Sequence, residues 1–171
     1  AFYKAIEAED QWLHYDDGKL MDGIGGPEHF YWGIMLPVSK LEDYAGASLT
    51  KVSLYNYLES SVNEGKIHIY YGGSNAPEVL VHSQNFSTAE VNQFVEFDLT
   101  YPLPVSGEEN IWVVIESNLG TSFPAAASED CGDPNARWIS VDGSAWEDIA
   151  ESGLNLSWMI RAYVSTNNRG T

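Results

Sequence analysis

Turn-forming residues punctuate this chain at short intervals, leaving room for strands but not for helices long enough to cover a sheet. Asp16-Asp17-Gly18, Asp22-Gly23, Gly25-Gly26-Pro27, Asn63-Glu64-Gly65, Gly72-Gly73 and Ser106-Gly107 each supply positive φ or a tight reversal. Between such signals lie about ten short runs rich in β-branched and aromatic residues. The expected strands are Gln11–Tyr15, His29–Pro37, Leu49–Leu58, Lys66–Tyr71, Val79–Phe86, Gln93–Thr100, Ile111–Glu116, Ser122–Ala127, Trp138–Asp142 and Asn155–Ser165. Several alternate with period two. Val52 and Leu54 interleave with Lys51, Ser53 and Tyr55, and Val95, Phe97 and Leu99 interleave with Glu96, Asp98 and Thr100. That is the pattern of a strand with one face on a core and one in water.

Helical periodicity is weak. Ala1–Asp10 and Trp146–Ser152 are the candidate short helices, and neither could cover a sheet. The chain therefore reads as all-β: two antiparallel sheets packed as a sandwich, with jelly-roll topology favoured by the strand count. Residues 1–10 form a lead segment, 11–165 the sandwich domain, and 166–171 a small, polar, linker-like tail. The expected core includes Val52, Leu54, Ile67, Ile69, Val95, Phe97, Val113 and Ile115. At 171 residues such a domain buries enough surface to fold without staples. Cys131 is the single cysteine, so neither an internal disulfide nor a thiolate cluster can form.

The formal charge of −17 repels phosphate backbones and argues against nucleic-acid partners, and no apolar run is long enough to span a membrane as a helix. Two common catalytic signatures are missing, HExxH and GxSxG. His14, His29, His68 and His82 show no metal-ligand spacing, and His68 and His82 are expected to face solvent. Acids on strands, such as Glu96, Asp98 and Glu116, are spaced like a solvated face rather than a facing catalytic pair. No enzyme activity is expected.

Two constellations are candidates for binding. Asp16, Asp17 and Asp22 share one loop, and Glu129, Asp130 and Asp133 share another with Gly132 between them. Irregular loops rich in carboxylates suit calcium, although neither matches an EF-hand, and Asx turns in solvated loops are the competing explanation. The second constellation is aromatic. Phe30-Tyr31-Trp32 puts rings on both faces of one strand, and Tyr31, Tyr55, Tyr57 and Tyr70 oppose the parity of neighbouring core positions. They are the expected contacts for a protein or glycan ligand.

The phrases Phe30-Tyr31-Trp32-Gly33-Ile34-Met35-Leu36-Pro37, Ile67-His68-Ile69-Tyr70-Tyr71-Gly72-Gly73, Ile111-Trp112-Val113-Val114 and Trp158-Met159-Ile160-Arg161-Ala162-Tyr163-Val164 resemble β-sandwich modules of Bacteroidetes surface proteins. These are similar to the adhesin and haemagglutinin regions of gingipain-type proteases. The resemblance covers about Gln11 to Ser165. It implies a non-catalytic adhesion or recognition module, part of a longer multidomain chain that is secreted or held at a bacterial cell surface, with calcium in its loops. A carbohydrate-binding module attached to a hydrolase is the alternative, and a small sandwich glycoside hydrolase a third. Ser140-Val141-Asp142-Gly143-Ser144-Ala145-Trp146 also looks like an Asp-box hairpin, in which Asp142 and Ser144 would cap the turn and Trp146 would pack beneath it.

Overall fold

The computed structural model describes residues 9–25, 29–57, 62–117 and 123–166. In chain order the strands are β1 (Gln11–His14), β2 (Asp22–Ile24), β3 (Phe30–Leu36), β4 (Ser48–Asn56), β5 (Asn63–Tyr71), β6 (Val79–Thr88) and β7 (Gln93–Pro104). They continue with β8 (Ile111–Ser117), β9 (Ala125–Glu129), β10 (Trp138–Ser140), β11 (Glu147–Asp148), β12 (Leu156–Trp158) and β13 (Ile160–Ser165). One sheet runs β1-β13-β4-β7 and the other β11-β10-β3-β8-β5-β6. Apart from the β5–β6 hairpin, successive long strands therefore change sheets in the interleaved order of a jelly roll, as the strand count suggested. A third, short sheet, β12-β9-β2, continues the first: Met159 N–H donates to Ala126 O and Met159 O accepts from Tyr55 N–H.

Alternation sets the core. Val52, Leu54, Ile67, Ile69, Val113 and Ile115 are buried between the sheets, Val95 is buried opposite Leu54 on β7, and Phe97 is half-buried against the core with its ring 5.3 Å from that of Phe86. Trp32 and Trp158 meet edge to face inside the same core, and Trp158 donates its indole N–H to Trp138 O. The two ends of the sandwich, near residues 10 and 166, lie side by side. β1 pairs with β13 from Gln11 opposite Val164 to His14 opposite Arg161, and the Asp10 carboxylate accepts Thr166 N–H at 2.6 Å.

Several boundaries differ from the sequence expectation. Asp22–Ile24 forms strand β2 rather than turn only, because it completes a ladder with the alanines of β9. The expected strand Asn155–Ser165 is interrupted at Met159, where the chain passes from β12 to β13. Trp146–Ser152 is not an α-helix: it forms the two-residue strand β11 and a 3₁₀ turn in which Asp148 accepts the Ala150 N–H. Of the lead segment, 1–8 lies outside the described residues, as do Ser122 and the tail from 167.

Candidate binding face of the six-stranded sheet

The parity that buries Phe30, Trp32, Ile34 and Leu36 of β3 turns Tyr31, Gly33 and Met35 outward. Register aligns the outward residues across strands: Tyr31 lies opposite Glu116, and Met35 opposite Trp112 on β8. On β5, Lys66 lies opposite Glu116 and Tyr70 opposite Trp112. Half of this outer face is itself a small core, in which Met35, Trp112, Val114 and Trp138 are buried. Two turns cover it. At one side Gly72 and Gly73, both at positive φ, fold back so that Gly73 O accepts the Trp112 indole N–H at 2.9 Å. At the other, Asp142 Oδ1 accepts the N–H groups of Ser144 and Ala145, and Trp146 tucks in with its ring 5.7 Å from Trp112. The expected hairpin is present with Trp146 packed under it, but the hydroxyl that caps the turn beside Asp142 is that of Ser140, which accepts Gly143 N–H, and not that of Ser144. The N–H groups of Ala145 and Ser144 hold the Asp142 carboxyl down at about 2.

The other half of the face carries the half-buried Tyr31 and Tyr70 and a hydrogen-bonded polar row. Glu116 Oε2 lies 2.7 Å from His29 Nε2, and Glu116 Oε1 lies 2.6 Å from His68 Nε2. The row continues to β6, where Ser83 Oγ is 2.6 Å from His68 Nδ1. One carboxylate thus sits between two imidazoles, each on its own oxygen, and the tyrosine rings stack around them. Tyr31 lies edge-on to His29 at 5.1 Å, and Tyr70 is 6.4 Å from His68. Burial pushes the Glu116 carboxyl up, but the hydrogen bonds and charges of His68 and His29 outweigh it and leave it below its ordinary value. Tyr31 and Tyr70 are raised, first by burial and then by Glu116, so both phenols stay protonated as donors. The row makes His68 buried, not solvent-facing as its strand parity suggested. His82 is buried too, 5.1 Å from the Tyr101 ring.

Of the four tyrosines singled out from parity, Tyr31 and Tyr70 share this face. Tyr55 lies on the opposite sheet, edge-on to Phe94 at 5.3 Å, and Tyr57 lies against Gly23, where an added Cβ would collide with its ring. The expected calcium acids fall on several separate jobs. Asp16 is buried and ion-paired with Arg161 at 2.7 Å, Asp17 accepts Lys19 N–H, and Asp22 accepts Gly23 N–H. Glu129 ends β9 exposed, Asp130 pairs with Arg137 at 2.7 Å, and Asp133 caps a 3₁₀ turn through Asn135 N–H. Among the described residues no three His, Cys, Asp or Glu side chains are arranged to hold a metal ion. Ser48-Leu49-Thr50-Lys51 has the Ser-x-x-Lys spacing of some hydrolases. It lies on β4, whose pairing shifts between Leu49 and Lys51, and the Lys51 ammonium is engaged elsewhere, 3.7 Å from Glu96 and over the Tyr163 ring.

His29, His68 and Glu116 were the residues that parity reasoning missed as a group. Each was visible singly, but their meeting depends on the registers of β3, β8 and β5. No known protein family matches the chain, and no curated protein matches it.

Proposed function

We propose that the chain is a non-catalytic recognition module of a secreted or surface-attached multidomain bacterial protein, binding a neutral sugar on the outer face of the six-stranded sheet. The observation that carries this reading is a carboxylate, Glu116, fixed by two imidazoles beside two half-buried tyrosines. Each carboxylate oxygen keeps a lone pair beyond the one given to histidine, so paired sugar hydroxyls have acceptors ready. The tyrosine rings offer apolar faces to the C–H side of a pyranose, and their protonated hydroxyls donate. Preformed geometry lowers the ordering cost of binding. The overall charge of −17 disfavours acidic glycans and nucleic acids. A glycan array followed by titration calorimetry tests the reading. Neutral glycans should bind, and Tyr31→Ala, Tyr70→Ala and Glu116→Gln should each weaken binding about tenfold or more, a loss on the scale of one charged hydrogen bond. Binding left unchanged by all three variants would move the site elsewhere.

One observation favours a second reading as a hydrolase. Ser83, His68 and Glu116 line up as hydroxyl, imidazole and carboxylate, the chemical order of a nucleophile, its base and the base's orienting group. Ser83 lies within a continuous strand rather than on a strained turn beside paired N–H donors, which weakens that reading. Turnover of activated esters that disappears in Ser83→Ala would establish it in place of pure binding.

A further inference from the structure

We infer that β6 is a docking edge onto which an extended segment of a neutral or basic protein adds as one more strand, with a lysine or arginine side chain seated beside Glu64. Among the described residues β6 pairs only with β5, so it forms the margin of the six-stranded sheet. Such margins expose unpaired N–H and C=O groups, and proteins blunt them with short length, charge or proline. The other margins of the two main sheets follow that rule. β11 has two residues, both acidic, β1 has four, and β7 carries Glu96, Asp98, Pro102 and Pro104. β6 does not. Its ten residues include no Lys, Arg, Asp, Glu or Pro, and Val79 and Leu80 are exposed. A bulge opposite Ile69 and Tyr70 twists only its beginning, leaving His82 to Thr88 in unbroken register with β5. The Gln84 side chain is turned to β7, where its amide donates to Asp98 O and accepts Thr100 N–H, both at 3.0 Å.

Beside this run lies an open depression of about 460 Å³ lined by Glu64, Gly65, Asn85, Phe86 and Ser87. It can take a long side chain from an added strand, as alternate residues do in strand addition. Charge selects the occupant. A second copy would bring another −17 to the same edge, whereas Glu64 opposite Ser87, Glu78 and Glu90 flanking β6, and Asp98 beside Gln84 outnumber Lys66 and favour a basic segment.

The test uses the full chain and two synthetic peptides of alternating valine and threonine, one with a central lysine and one with a central glutamate. Hydrogen exchange should show β6 amides slowed about tenfold or more by the lysine peptide and little by the glutamate peptide. Asn85→Lys with Ser87→Lys, both exposed positions, should abolish the protection without changing the melting temperature. Glu64→Gln should weaken binding severalfold at low salt and converge on the parent at high salt. If the double variant fails to fold, the salt dependence of Glu64→Gln alone decides. Unaltered exchange with the lysine peptide, equal protection by both peptides, or a sedimenting dimer that protects β6 without peptide would each overturn the proposal.

Discussion

The side chain of Asp16 has no solvent exposure, and its carboxylate takes two hydrogen bonds from Arg161, at 2.7 and 3.3 Å, and one from Gly18 N–H. Removing one partner of such a pair costs about 3–5 kcal/mol, because the other charge is left in a site built for two. The loss is unequal on the two sides. Arg161 is 21% exposed and can turn to water, whereas Asp16 cannot, so Arg161→Met should destabilise more than Asp16→Asn. Urea titrations with calcium and with chelator should give the same difference; a loss confined to calcium-loaded protein would instead make Asp16 a ligand. Glu116 gives a pH prediction. Its folded carboxyl lies below the ordinary value of 4.5, so its stabilising contribution is complete above that value and is lost as pH falls through the lower folded one. The stability gap between parent and Glu116→Gln should therefore shrink on acidification below pH 4.5, and a gap that is flat with pH would remove the carboxylate from the row.

At the scale of strands, tight approach matters as much as hydrophobicity. Gly65 of β5 sits where a Cβ would press on the carbonyl oxygen of Glu116, a backbone atom that cannot swing aside. Gly65→Ala should cost about 1–3 kcal/mol by overpacking and displace Glu116 with it. Denaturation together with the imidazole signals of His29 and His68 would report both effects; an unchanged protein would mean that β5 and β8 slide freely. Strand parity was readable from the sequence because alternation is local: Val52 and Leu54 announced the inner face of β4, and Phe30-Tyr31-Trp32 announced rings on both faces of β3. The polar row was not readable. His29 and Glu116 are 87 positions apart and His68 and Glu116 are 48 apart, and a one-residue slip in any of the three strands would separate them. The turn at Asn63-Glu64-Gly65 was likewise absorbed into β5, because pairing with β6 outweighed local turn preference. The double covering of Trp112 depends on loops returning from distant strands, which no local pattern encodes.

For the molecule as a whole, the two sheets share one continuous core, so a void anywhere in it weakens both. Leu54 is fully buried on β4, and Leu54→Ala should lower stability by about 2–5 kcal/mol in a single cooperative transition. Separate melting of the two sheets would contradict a common core. The pairing of β1 with β13 and of Asp10 with Thr166 has a different consequence. It makes the order of strands along the chain partly interchangeable with their order in space. A short linker joining residue 10 to residue 166 would close a gap already closed by a hydrogen bond, and closure entropy grows only slowly with linker length. A circularly permuted chain opened between the exposed Glu108 and Glu109 should reach the same native sandwich. Its folding rate should change more than its stability, because permutation converts the most distant strand pairing into a local one and leaves the contacts in place.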